Sequence, residues 1–311
     1  MKKRRLKKKV KIIGIGIILL TIIIIVLIKL SILFNSYEYK LKKIGYNKEE
    51  TSIILKLDED KVDEIITLEL NKDIPLLIET KYFMYKNMHN YLDFYNKNSS
   101  YNLRDVVEII NTNRNKDYYV DIKSSDITKG NLTLVNKYYA LNKEYEPVEL
   151  KSVNLQYAYA NNKLIKEAND KYIELAKAAK KLNYNLIINS SYRDFESQEN
   201  IYKAKEKTMG IEKTDELVAR PGHSEHQLGY AIDIDLYKTK YDKLENTDEY
   251  KWLLENAHKY GFILRYPKEK ENITGYSFEP WHYRYVGIEV AEYIYKNKIT
   301  FDEYYAYYIE K

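Results

Sequence analysis

Cysteine is absent from the 311-residue chain. Its absence excludes disulfides, thiolate zinc ligands, a cysteine nucleophile and a lipid-modified cysteine anchor. Stability outside a cell must then come from packing and from any metal the chain binds. Acidic residues are missing from the first eleven positions. There Lys2, Lys3, Arg4, Arg5, Lys7, Lys8, Lys9 and Lys11 supply eight of the 51 basic residues, leaving 43 basic against 46 acidic residues in the rest. The formal charge of +5 therefore belongs to one end of the chain. The remainder lacks the overall positive field of a nucleic-acid binder, so no nucleic-acid partner is expected.

Behind the basic cluster, residues 12–28 are apolar apart from two glycines and Thr21, and residues 30–34 continue the run after Lys29. At a rise of about 1.5 Å per residue, a helix over 12–34 is long enough to cross the ~30 Å hydrocarbon core of a bilayer. The run exceeds a typical signal-peptide core and no clear Ala-x-Ala-like site follows it, so an uncleaved anchor is the expectation over a cleaved leader. Positive charge stays on the cytoplasmic side. That predicts a basic cytoplasmic tail over 1–11, a single transmembrane anchor over 12–34 and everything beyond it outside the cytoplasm.

Residues 35–124 read as a polar, mainly helical accessory region without visible chemistry. Asn47 is a candidate helix N-cap with Glu50 three residues on, and His89 is read as an ordinary surface or packing histidine. From 125 to 311 helix and strand signals interleave. The spacing predicts a strand over 132–136, a helix whose buried face runs from Leu164 and Ile165 through Tyr172 and Leu175 to Leu182, and a strand over 186–192. A helix over 195–207, a strand over 230–235, a helix over 248–260 stopped by Gly261, strands at 262–264 and around His282, and a closing helix from about 288 complete the pattern. Irregular interleaving argues for an α+β domain, an antiparallel sheet with flanking helices, more than for a doubly wound parallel sheet.

Two stretches carry the chemistry. Residues 220–235 read Arg-Pro-Gly-His-Ser-Glu-His-Gln-Leu-Gly-Tyr-Ala-Ile-Asp-Ile-Asp, and residues 279–282 read Glu-Pro-Trp-His. Histidines, an aspartate and a separate glutamate are the parts of a hydrolytic zinc site, in which three protein ligands leave a position for water and a carboxylate takes the water's proton. In an extended strand Asp233 and Asp235 share a face, and the one nearer His226 is placed to share a metal with it. Asp235 is then a possible support for the ligands, and His223 is an alternative ligand to His226. Ser224 is not read as a nucleophile: the stretch from Gly222 to His226 lacks the last glycine of a nucleophile elbow and no strand precedes it. A substrate-binding hydroxyl, or one supporting a ligand, suits it better. His258 falls within a helix and reads as structural.

The pattern Ser224-x-His226-x-x-Gly229-x-Ala231-x-Asp233 with Glu279-x-Trp281-His282 resembles the zinc D,D-carboxypeptidases of the VanY type. These are relatives of the D-Ala-D-Ala dipeptidases, within the fold shared by lysostaphin-like peptidases and the hedgehog signalling domain. The resemblance covers about residues 126–287. It implies one Zn2+ per chain held by His226, Asp233 and His282, with Glu279 as the catalytic base for a zinc-bound water. Ser190-Ser191-Tyr192-Arg193 and Gln198 also resemble the family: Arg193 is implied to face the substrate's developing oxyanion or terminal carboxylate, and Ser191, Gln198 and Ser224 to contact substrate. No ligand is implied at His223. Leu134-Val135-Asn136-Lys137 and Tyr145-x-Pro147 resemble the start of the family's domain, with no chemical role assigned.

The function implied is removal of the terminal D-alanine from peptidoglycan stem peptides on the wall side of a bacterial membrane. The hydrolytic centre alone does not separate this from an L,D-carboxypeptidase or an endopeptidase. A zinc-stabilised wall-binding module without turnover is the reading from another class, against which Glu279 stands.

Overall fold

The computed structural model describes residues 2–236 and 241–310, and side chains from position 18 onward except at 241 and 242. The chain divides into two compact units, residues 1–107 and 108–311. In the first, helix α1 (Lys2–Asn35) includes a window, Ile18–Asn35, that is apolar and long enough for a membrane span or a signal sequence, and none of that window is buried. Short amphipathic helices come after it. The one over Lys48–Ile54 starts with a capping box in which Asn47 accepts from the Glu50 N–H and Glu50 accepts from the Asn47 N–H. Leu41, Ile54, Ile65, Ile74 and Tyr91 are fully buried among these helices.

The second unit begins ahead of position 125 because residues 113–124 are stitched to later parts of the same unit: the Tyr119 and Lys123 N–H groups donate to the carbonyls of Lys137 and Tyr138, and Arg114 donates to the Asn272 carbonyl. Its centre is a four-stranded antiparallel sheet of β1 (Leu186–Ser190), β2 (Ala231–Leu236), β3 (Phe262–Leu264) and β4 (His282–Tyr285), in the order β1-β2-β4-β3. The fold is α+β with an antiparallel sheet and flanking helices, as the interleaved pattern predicts.

Period-two alternation sorts the sheet into an apolar face and a polar one. Ile232, Ile234, Tyr283 and Tyr285 join the core beneath α2 (Lys166–Lys180), where Ala168, Tyr172, Leu175, Ala176 and Ala179 pack on them. Burying a side chain of that size contributes on the order of 1.5–3 kcal/mol. The Tyr172 hydroxyl donates to the carbonyls of Tyr157 and Leu186, so its one polar atom is satisfied in the core. Helix α3 (Phe195–Met209) starts on Asp194, whose carboxylate accepts from Ser197 N–H. Helix α4 (Asp248–Asn256) runs into a 3-10 turn capped by left-handed Gly261. Two closing helices, α5 (Ile288–Asn297) and α6 (Phe301–Tyr308), stand where one was expected.

Three local expectations are corrected. Residues 132–136 are not a strand. Residues 133–137 are buried on both alternations, and the Thr133 carbonyl accepts from Arg284, so the segment is an irregular buried loop with its backbone groups used by side chains. Leu164 and Ile165 precede α2 in a short strand, Lys163–Ile165, paired with Leu150–Ser152. Leu182 lies past the end of α2 and is half exposed.

Candidate active site

The polar face of the sheet carries Asp233 on β2 and His282 on β4, and the register sets these two residues directly opposite each other. Side chains so paired stand about 4.5–5.5 Å apart at Cβ. His226 comes from the 3-10 turn Glu225–Leu228 that feeds β2. That turn closes on Gly229 at φ 75°, where a Cβ would press on Leu150, Ile165 and Pro147. Glu279 lies in the loop before β4, pinned by its N–H donating to the Tyr266 carbonyl. Arg193 lies between β1 and α3, and its N–H donates to the His226 carbonyl.

One donor atom from each of His226, Asp233 and His282 lies within 4.8 Å of the other two. His226 Nε2 stands 3.3 Å from Asp233 Oδ2, and His282 Nδ1 stands 3.2 Å from Asp233 Oδ1. The hydrogen bonds on the far side of each ring fix what these nitrogens are. His226 Nδ1 lies 2.6 Å from the Ser191 carbonyl, an acceptor, so Nδ1 carries the hydrogen and Nε2 presents a lone pair. His282 Nε2 faces the Glu225 carboxylate at 3.4 Å, so in the neutral ring Nδ1 presents the lone pair. Each ring thus turns an acceptor toward a carboxylate oxygen, and Asp233 Oδ1 is buried without a hydrogen-bond partner. Lone pairs face each other at such distances only when a cation, proton or metal, lies between them. Two ligands about 2.0–2.1 Å from a tetrahedral zinc stand about 3.3–3.4 Å apart, so the two histidine-to-Asp233 spacings and the N, N, O donor set fit zinc.

Electrostatics agree with a site built for a cation. Burial alone drives the Asp233 carboxyl up, but His226 and His282 outweigh it and hold the group well below the usual carboxylate range. Burial and the Arg193 guanidinium push the His226 ring down. For His282 burial acts downward as well, yet Asp233 and Glu225 prevail and raise it to about 9. Glu279 Oε2 lies 3.6 Å from His282 Nδ1, and burial raises its carboxyl to about 8 against the pull of His282.

Arg193, Gln198, Ser224, His226, Asp233, Glu279 and His282 line one cleft, walled by Ile201, Leu217, Tyr266 and Tyr276. Besides Asp233 Oδ1 and the Tyr276 hydroxyl, the cleft's buried polar atoms without a hydrogen-bond partner among the described residues include Arg193 Nε, a donor, and Gln198 Oε1, whose amide nitrogen is anchored on the Ala219 carbonyl. Ser191 is a correction. Its hydroxyl donates to Asn162 Oδ1 and accepts from the Lys163 N–H, which turns it away from the cleft, and its carbonyl holds His226 instead. Asp235 shares the face of Asp233 but accepts from the Leu236 N–H and does not line the cleft. His223 donates to or accepts from nothing in the cluster; its Nδ1 pairs with the Asn136 carbonyl and its ring stands edge-on to Tyr119. His258 stacks on Tyr295, and His89 pairs with Glu64 at the surface.

Sequence reasoning missed the layer behind His282. Glu225 Oε1 accepts from Arg265 Nε at 2.7 Å and from Arg284 Nη1 at 2.9 Å. Arg265 also grips Asp302 of α6 through both terminal nitrogens, and Asp302 Oδ1 accepts from Asn136 Nδ2. Arg284 completes its bonding on the Asn131 and Thr133 carbonyls. The available signal was an arginine between Tyr283 and Tyr285, next to the strand expected around His282.

A family model described as VanY, D-alanyl-D-alanine carboxypeptidase, matches residues 161–288. Over 201 residues the chain is 40% identical to the Bacillus subtilis (strain 168) protein YodJ, which carries a provisional carboxypeptidase name; the match covers 60% of this chain and 74% of that protein. It is 35% identical over 181 residues to the bifunctional D-Ala-D-Ala dipeptidase and D-Ala-D-Ala carboxypeptidase VanXYC of Enterococcus gallinarum, covering 57% of this chain and 94% of that one. Among solved structures, the LdcB LD-carboxypeptidase superposes with a TM-score of 0.56 at 38% identity, over 61% of this chain and 92% of that chain.

Proposed function

Because the chain belongs to the VanY family of D-alanyl-D-alanine carboxypeptidases, we propose that it is a zinc-dependent D,D-carboxypeptidase that removes the terminal D-alanine of peptidoglycan stem peptides. The observation that carries this reading is the convergence of His226 Nε2, His282 Nδ1 and the Asp233 carboxylate on one buried point. In this reading His226 Nε2, Asp233 and His282 Nδ1 hold one zinc ion per chain. Zinc, when bound, supplies Lewis acidity that polarises a carbonyl and eases the deprotonation of water.

The remaining work falls to the chain. Glu279 takes the proton of the attacking water on its carboxylate as the new C–O bond forms, then returns it to the amine as the C–N bond breaks and D-alanine leaves. Arg193 sets a fixed guanidinium against the developing oxyanion or the terminal carboxylate of the peptide. Gln198 Oε1 offers an acceptor to a peptide N–H, and Ser224 offers a hydroxyl. Helix α1 serves as an uncleaved anchor whose basic residues stay in the cytoplasm, which places the cleft on the wall side of the membrane.

A second reading rests on one observation, the likeness to a solved LD-carboxypeptidase. In that reading the same centre trims the next residue of a tetrapeptide stem. Incubation of the zinc-loaded full chain with stem peptides of five and of four residues, followed by mass spectrometry, separates the two. Alanine loss from the pentapeptide supports the D,D reading. Loss from the tetrapeptide alone overturns it in favour of the L,D reading, and zinc binding without loss from either overturns both.

A further inference from the structure

We propose that Glu225 is a positioning residue that decides which ring nitrogen of His282 faces the metal-binding cluster, and that Arg265 and Arg284 hold it to that task. The inference rests on the zinc reading above.

Three observations converge on it. Both arginines fall on one oxygen of the carboxylate, Oε1, which leaves Oε2 free to face His282 Nε2. All four groups are buried: Glu225 is 1% exposed, Arg265 and Arg284 0%, His282 5%. No solvent competes for Nε2, and a buried ring nitrogen takes the partner it is given. Two guanidinium groups donate to Oε1 of this carboxylate, so Oε2 stands opposite Nε2 as an acceptor held in place. A permanent acceptor opposite Nε2 keeps the hydrogen there and leaves the Nδ1 lone pair turned toward Asp233. The Tyr266 ring, its centroid 5.0 Å from that of His282, packs against the imidazole and adds steric support to the same orientation.

The buried ions alone admit a purely structural reading, in which Glu225 merely neutralises two arginines. The two readings part at Glu225→Gln. Two guanidiniums demand the amide oxygen, which turns the amide NH2 toward His282 Nε2 and favours the ring form with its hydrogen on Nδ1. Zinc binding to the full chain in detergent, measured by competition with a chromophoric chelator, is then expected to weaken about 10- to 100-fold in E225Q. Leu253→Ala, in the core on the opposite face of the sheet, lowers the melting temperature without weakening zinc. In the zinc-loaded parent labelled with 15N-histidine, nitrogen shifts are expected to show His282 coordinated through Nδ1 and protonated at Nε2. Coordination through Nε2 overturns the inference even where E225Q does not fold. So does E225Q binding zinc as tightly as the parent, or L253A losing as much as E225Q. A parent that binds no zinc overturns the metal reading itself, and this inference with it.

Discussion

Asp233 and His282 face each other across neighbouring antiparallel strands, with Oδ1 and Nδ1 3.2 Å apart and no hydrogen between them in the neutral ring. Such a contact is unfavourable unless a cation occupies it. Replacing the carboxylate by an amide removes the charge that makes the cation welcome. Asp233→Asn should therefore weaken zinc by more than the roughly 10–100-fold typical of a residue that only supports a ligand. Chelator competition on the full chain measures it, and zinc binding equal to the parent's would remove Asp233 from the ligand set.

Glu279 is close enough to His282 to share the site, yet its place in the metal cluster is taken by Asp233. Glu279→Ala and Glu279→Gln are both expected to keep zinc while turnover falls by at least about 10²–10⁴-fold, the usual worth of a positioned acid or base. D-Alanine release from a pentapeptide and zinc content are measured on the same preparation. Loss of zinc alongside activity would make Glu279 a ligand and not a base.

His282 gives the site a pH dependence. Its ring is raised to about 9, so below that pH the metal-free chain holds a proton on it. Only the neutral ring ligates, and zinc must displace that proton. Apparent affinity therefore rises with pH, by about tenfold per unit while one proton is released, and levels off above about pH 9. Chelator competition at several pH values between about 6 and 8 tests this, and a flat profile over that range would contradict a His282 ligand.

Residues that act along one strand or one loop were legible from sequence, and those that act across the fold were not. His226 and Asp233 are joined by a turn and half a strand, and the alternation that puts Ile232 and Ile234 in the core puts Asp233 on the other face. Glu279 and His282 share one short segment. Glu225 sits inside the same motif and carried no signal, because its role depends on Arg265, 40 residues away, and Arg284, 59 away. Asn136 was visible only as part of a family-like stretch; its contact with Asp302 spans 166 residues. Ser191 misled for the opposite reason. A hydroxyl beside Arg193 looks available to substrate until the fold shows Asn162 and Lys163 claiming it.

Arg193 presents a buried Nε without a hydrogen-bond partner to the cleft. A lysine keeps the charge but loses the planar fork, so Arg193→Lys tests geometry apart from charge. If the guanidinium steadies the oxyanion, kcat falls by about 10²–10³-fold. If it binds the terminal carboxylate in ground and transition states alike, KM rises and kcat holds. Steady-state kinetics on a pentapeptide distinguishes the two, and unchanged kcat and KM would take Arg193 out of the site.

Gly222 governs the loop that delivers Ser224 and His226. Its φ is 82°, and a Cβ there would stand 2.9 Å from the Leu141 carbonyl oxygen, which is backbone and cannot swing away. The Gly222 carbonyl also accepts from the Leu141 N–H, so the two segments are tied at the same point. Gly210 has almost the same φ, 80°, but nothing within 4 Å of a built Cβ. Alanine at either position carries the strain of a side chain at positive φ, about 1–3 kcal/mol. Only Gly222→Ala must also push the loop off Leu141, and the displacement is passed on to His226 four residues later. G222A should therefore melt at a lower temperature than G210A and bind zinc more weakly, whereas G210A keeps the parent's zinc affinity. Equal melting temperatures for the two variants would show that the loop yields without cost, and that Leu141 does not fix the position of His226.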